Sequence, residues 1–277
     1  MLSRRHFLPL GLAALATTAQ AAAPRKIVAS FSILGDLVRE LTGTRPAVLV
    51  GPDQDAHVFQ PRPSDLRAVA AADLLVVNGL GFEGWMDRLA QSAGFKGRII
   101  VASDGIAPRT TPDGQTDPHA FQSVPNIKRY ITNIAAALPA DAARTLIALD
   151  ALDAEIRAAW APIPRTRRRI ITTHDELGYY GAEYGVDFLA PVGLSTESEP
   201  SAKQLRSLID QIKQQNIAAL FLENISNGAL LRQIAREAQV TVGATLYSDA
   251  LSQPNGAAGT YIAMMRYNTK QMVAAVK

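Results

Sequence analysis

From Lys26 onward, short apolar runs alternate with longer stretches in which apolar residues recur every three or four positions. The first run, KIVASF at Lys26–Phe31, lacks the polar alternation of a half-exposed strand, and Leu34–Leu41 behind it has helical spacing. The same pair of signals repeats: strand-like Ala47–Val50, Leu74–Asn78 and Arg98–Ala102 alternate with helix-like Ser64–Ala71 and Glu83–Ala93. Continuous apolar strands belong to parallel sheets covered on both faces. After Asn126 the pattern turns wholly helical, in Ile127–Leu138 and then Ala142–Trp160, with Pro139 and Pro162 as punctuation. A second β/α series opens at Arg169–Thr173. It continues with strands near Asp187–Pro191, Ala219–Leu222 and Thr241–Leu246, and with helices at Ser201–Gln214, Gly228–Ala238 and Gly259–Val276.

This pattern predicts an α/β protein of two lobes, each with a parallel four-stranded sheet flanked by helices, joined by a long rigid helix. The expected division is an N-terminal lobe over residues 22–140, a linking helix over 141–162 and a C-terminal lobe over 163–277. Residues 1–21 stand apart. Arg4 and Arg5 precede an apolar stretch from Phe7 to Ala16, and Ala19-Gln20-Ala21 follows, which reads as a secretory signal cleaved after Ala21. Ser3-Arg4-Arg5-His6-Phe7-Leu8 is similar to the twin-arginine export signal. The apolar stretch is shorter than the roughly 20 residues that span a bilayer. The chain has no cysteine, so no lipid-bearing cysteine follows the signal, and a soluble periplasmic product is expected.

Charge narrows the partners. Loss of Arg4 and Arg5 takes Lys+Arg from 28 to 26 against 25 acidic residues, leaving no basic stripe for nucleic acid. The densest cationic run, Arg165 to Arg169, reads as a solvated strand entry. About 255 residues remain, enough for two ordinary domains with cores of their own.

In open α/β sheets ligands sit beyond the carboxyl ends of the strands, among the βα loops. His57 lies in such a loop after Ala47–Val50, within GPDQDAHVFQ, and His119 lies in the long connection after Arg98–Ala102. His174 ends the strand Arg169–Thr173, and Asp249 follows the strand Thr241–Leu246. His6 leaves with the signal, so every remaining histidine occupies an equivalent position in the topology. Each alone reads as a hydrogen-bonded loop residue. Together, three imidazoles and one carboxylate facing across an interlobe cleft form an N₃O set that suits a borderline divalent cation such as zinc. Glu223, at the end of Ala219–Leu222, is either an outer-shell acceptor for a metal-bound imidazole or a solvated strand-end carboxylate. Asp175 and Glu176 are either exposed acids or, in a rival periplasmic zinc hydrolase, a general base. A fourth protein ligand would close the site and favour a carrier over an enzyme.

The stretch Gly51-Pro52-Asp53-Gln54-Asp55-Ala56-His57-Val58-Phe59-Gln60-Pro61, followed by Pro63-Ser64-Asp65-Leu66 and Ala72-Asp73-Leu74, resembles the first signature of the zinc/manganese solute-binding proteins of ABC transporters. Asp117-Pro118-His119, Thr173-His174-Asp175 with Tyr179-Tyr180, Glu199-Pro200-Ser201, Phe221-Leu222-Glu223 and Tyr247 to Ser252 match later signatures in order. The resemblance implies a two-lobed fold on a rigid helix and a metal site of His57, His119, His174 and Asp249 in the cleft. It also implies delivery of the ion to a membrane permease, with a metallochaperone as a further partner and a monomeric state. In that family the third position tends to be histidine in zinc members and glutamate in manganese members, so His174 favours zinc over manganese. Two departures stand out: Pro108–Pro118 lacks the histidine-rich tract common in zinc-uptake members, and the second-lobe disulfide has no cysteines to form it.

Overall fold

The computed structural model describes residues 25–138, 140–197, 200–215, 217 and 219–277; the expected signal and Glu199 lie outside the described residues. Four parallel strands, β1 (Ile27–Phe31), β2 (Ala47–Val50), β3 (Leu74–Val77) and β4 (Arg98–Val101), form one sheet in the order β2-β1-β3-β4. A second parallel sheet, of β5 (Arg169–Ile171), β6 (Asp187–Leu189), β7 (Ala219–Leu220) and β8 (Thr241–Val242), repeats that order as β6-β5-β7-β8. In each sheet the chain turns back between its first and third strands, the kind of switch point that opens a crevice at the carboxyl ends.

The helices start and stop where local chemistry directs. α1 (Ser32–Thr42) ends at Gly43, whose φ of 68° closes the last turn with an N–H to the Arg39 carbonyl. α2 (Pro63–Ala70) begins with proline in its first turn, and the Asp65 carboxylate accepts the Arg62 N–H at 2.7 Å. α3 (Met86–Ser92) starts three residues later than the periodicity predicts. The reason is Glu83, whose Oε1 turns back to accept the Asn78 N–H at 2.6 Å. α4 (Val124–Ala137) is capped by the Ser123 hydroxyl, and α5 (Ala143–Trp160) is the long helix expected between the lobes.

The second sheet has shorter strands than predicted. Beyond Ile171 the Thr173 and His174 amides donate to the Glu223 carboxylate, at 2.6 and 2.9 Å, so the ladder breaks and resumes only as single bridges at His174–Val192 and Glu223–Leu246. α6 (Gly178–Tyr184) had no sequence signal, because GYYGAEY is poor in helix formers. Packing stabilises it: Tyr179, Tyr180 and Tyr184 are all buried. α7 (Ala202–Gln215), α8 (Ala229–Ala238) and α9 (Tyr261–Val276) complete the fold. Arg168 corrects the view of Arg165–Arg169 as fully solvated, since its guanidinium donates to the carbonyls of Ile163, Tyr184 and Trp160 at 2.7–2.9 Å.

The expectation of two separate cores also needs correction. One apolar cluster runs from Leu75 of the first sheet through Tyr130, Leu152 and Trp160 to Tyr180 and Phe221 of the second lobe, and takes in Met264 and Met272 of α9. Only the side of the second sheet that faces α7 and α8 has its own cluster, with Ile171, Leu208, Ile212, Leu231 and Ile234. The cause is α9, which returns from the end of the chain to pack on α5 and α1. No helix among the described residues is long and apolar enough to cross a membrane.

Asp36 shows how α9 is held. Its Oδ2 accepts the Tyr261 N–H at 2.7 Å, and it pairs with Arg39. Burial pushes its pKa up to about 6, against the lowering effect of the Tyr261 N–H and Arg39. A carboxyl that binds its proton more tightly when folded stabilises the protein fully below its unfolded pKa, and that contribution is lost as pH rises through about 6. Wild type should therefore lose about 2 kcal/mol relative to Asp36→Asn between pH 4 and pH 7. Urea unfolding of both proteins at the two pH values checks this; a difference independent of pH would contradict it.

Candidate metal centre

The four residues singled out in the βα loops meet between the lobes. His57 Nε2 lies 3.1 Å from Asp249 Oδ2, His174 Nε2 lies 3.1 Å from the same oxygen, and His119 Nε2 is 3.3 Å from His57 Nε2 and 3.7 Å from Asp249 Oδ2. One donor atom from each residue falls within 4.8 Å of all the others. Metal–ligand bonds of about 2.0–2.1 Å put the donors of a tetrahedral zinc site roughly 3.3 Å apart. The separations of 3.1–3.7 Å given above bracket that value.

Each loop is tied down locally. Asp55 and Asp117 stand two residues before His57 and His119, and each accepts the histidine's own backbone N–H on Oδ1, at 2.8 and 2.9 Å. This explains the aspartates of GPDQDAHVFQ: Asp55 Oδ2 also accepts the Thr196 hydroxyl at 2.6 Å from the other lobe, and Asp53 accepts Asn224 Nδ2 at 2.9 Å. Phe82 forms an apolar wall, its ring 4.9 Å from that of His57 and 5.8 Å from that of His119.

Outer carboxylates decide which nitrogens face the centre. His119 Nδ1 lies 2.9 Å from Asp117 Oδ1, and His174 Nδ1 lies 2.5 Å from Glu223 Oε2. A carboxylate can only accept, so in the neutral ring Nδ1 carries the proton and Nε2 presents its lone pair inward. Two such lone pairs, the His57 ring and the Asp249 carboxylate then converge in a space sealed from water, with His119, His174 and Asp249 wholly buried and His57 only 8% exposed. That arrangement of acceptors suits a cation. The second Asp249 oxygen is buried without a hydrogen-bond partner.

The electrostatics follow. Burial raises the pKa of Asp249, but His119 and His174 outweigh it and hold the carboxyl well below the usual range. Burial disfavours a charged His174, yet Glu223, Glu176 and Asp249 together lift its pKa well above that of an ordinary imidazole. Glu223 is 1% exposed and accepts from Thr173, His174 and the Ser248 hydroxyl, so it is not a solvated strand-end group.

Glu176 is a second correction. It is fully buried, neither of its oxygens has a hydrogen-bond partner, and it lies 3.5 Å from His174 Nδ1. Burial and then repulsion from Glu223 push its pKa well above the usual carboxylate range. Asp175 is half-buried. Asp117 was not among the expected site residues, though the shared Asp-x-His spacing of Asp55-Ala56-His57 and Asp117-Pro118-His119 is a signal for it.

Two α/β lobes that share a core and enclose a four-donor set between their strand ends define a metal-binding protein of the solute-receptor class. Residues 27–275 match the family described as zinc-uptake complex component A, periplasmic, and the chain belongs to that family. It is a metal-binding component of an ABC transporter and not an enzyme. The manganese-binding lipoprotein MntA of Halalkalibacterium halodurans is 31% identical over 263 residues, covering 90% of this chain and 87% of the relative. The iron-binding protein YfeA of Yersinia pestis is 29% identical over 257 residues, covering 87% of this chain and 82% of the relative. Among solved structures, the periplasmic zinc-binding protein TroA from Treponema pallidum aligns with a TM-score of 0.84 at 26% identity, covering 91% of this chain and 99% of TroA.

Proposed function

We propose that this chain captures one divalent cation, zinc in preference to manganese, on His57, His119, His174 and Asp249, and hands it to the membrane permease of an ABC importer. The observation that carries this proposal is the inward convergence of imidazole Nε2 atoms whose outer nitrogens are held by Asp117 and Glu223. In the same proposal the chain is exported with cleavage after Ala21, works in the periplasm as a monomer and can receive its ion from a metallochaperone.

Zinc is favoured by the donor set. Three imidazoles and one carboxylate suit a borderline cation in low coordination, whereas manganese prefers more oxygen donors. The zinc-binding name of TroA agrees, while the manganese-binding name of MntA and the iron-binding name of YfeA favour a second reading in which the cargo is manganese or iron. Nothing supports the zinc hydrolase: four protein donors close the site, and no position is left for an attacking water.

Because zinc outcompetes manganese at most nitrogen-containing sites, the metal content of the chain isolated from its own periplasm, paired with competition titrations of wild type and His174→Glu against a chelator, decides between the two cargoes. Zinc should bind wild type far more tightly than manganese, and His174→Glu should narrow the gap by at least about tenfold by exchanging a nitrogen donor for oxygen. Wild type that binds manganese as tightly as zinc, or that carries manganese when isolated from its own periplasm, would overturn the zinc assignment.

A further inference from the structure

We propose that Arg109 attenuates the affinity of the metal centre: its guanidinium, held on Asp117 at the seam between the lobes, draws off charge that Asp117 otherwise lends to His119, and so keeps the cation releasable. This proposal rests on the assignment of the four-donor site as the place where metal binds.

The two outer carboxylates are built alike and charged differently. Asp117 Oδ1 and Glu223 Oε2 each hold the Nδ1 of an inward-facing histidine, at 2.9 and 2.5 Å. The second oxygen of Glu223 receives only neutral donors, the backbone N–H groups of Thr173 and His174. The second oxygen of Asp117 receives Arg109 Nη1 at 2.7 Å. A cation in that place acts twice. It lowers the basicity that an anionic partner confers on a metal-bound imidazole, and it repels a dication that sits one carboxylate and one ring away.

Arg109 is not required to hold Asp117 in place. Asp117 Oδ1 accepts the His119 N–H at 2.9 Å, its own N–H donates to the Arg109 carbonyl at 2.9 Å, and its carbonyl accepts the Tyr179 hydroxyl at 3.1 Å. All three contacts survive a change of the Arg109 side chain. The guanidinium itself is positioned from the other lobe. The Arg109 N–H donates to Tyr179 Oη at 2.8 Å, and the guanidinium carbon lies 5.3 Å from the centre of the Tyr179 ring. Gly178 completes the cradle, because a Cβ there would stand 1.7 Å from Arg109 Nη1. The side chain remains 40% exposed, so a solvent-facing charge stands directly on the carboxylate that holds His119.

Zinc affinity and release rate, measured with a chelator on the full chain at fixed pH and ionic strength, test this for wild type, Arg109→Gln and Arg109→Lys. Arg109→Gln should bind zinc on the order of tenfold more tightly and release it correspondingly more slowly, the scale on which outer-shell partners tune metal sites. Arg109→Lys keeps the charge and should stay close to wild type. Unchanged or weaker binding in Arg109→Gln, or tightening in Arg109→Lys equal to that of Arg109→Gln, would overturn the attenuator role while wild type still binds zinc. Wild type that takes up no zinc would overturn the metal centre and the attenuator together.

Discussion

Replacing His57, His119, His174 or Asp249 singly with alanine should lower zinc affinity by more than the roughly 10–100-fold that loss of an outer-shell partner costs, and leave the fold intact. Each change removes one of four donors whose separations match a single ion. Asp249→Ala should be the most severe, because it removes the only anion among the four and the oxygen that lies 3.1 Å from two imidazole nitrogens. His57→Ala is the cleanest comparison, since it leaves the outer pairs Asp117–His119 and Glu223–His174 untouched. Calorimetric titration with zinc, paired with far-UV circular dichroism, separates lost binding from lost structure. Near-wild-type affinity in any folded variant would exclude that residue from the centre.

Trp160→Ala should have the largest effect on stability. Trp160 is 1% exposed, and its indole N–H donates to Tyr180 Oη at 2.8 Å, which shares a 2.8 Å hydrogen bond with Thr269 Oγ1. One ring thus joins α5, α6 and α9. Truncating a buried aromatic side chain costs about 3–5 kcal/mol, which for a chain of this size lowers the melting midpoint by roughly 10 °C. Because the main apolar cluster continues across both lobes, the variant should still unfold in one transition. Calorimetry checks both points. Two resolved transitions in wild type or variant would contradict the shared core.

The strand and helix order was legible because both sheets are parallel and covered, so their strands read as uninterrupted apolar runs between segments of helical period. The four donors were legible for a topological reason. Each lies in a connection that follows the carboxyl end of a strand, and the chain has too few histidines for that to arise from abundance. What escaped depends on tertiary contact. α6 exists because its tyrosines are buried against α5 and the second sheet, a fact that local propensity opposes. The shared core depends on where α9 returns, which no periodicity records. Glu176 looks like a loop acid in Thr173-His174-Asp175-Glu176, and only the fold reveals that it is sealed beside His174. Arg168 reads as one cation in a basic run until three carbonyls are seen to surround its guanidinium.

The central claim is that the four loops form one cation site. Native mass spectrometry of the chain, stripped with a chelator and then offered zinc, tests it most directly. One zinc ion per chain is expected for wild type and none for Asp249→Ala at the same free-metal concentration. A wild-type chain that stays metal-free, or an Asp249→Ala chain that retains its ion, would contradict it.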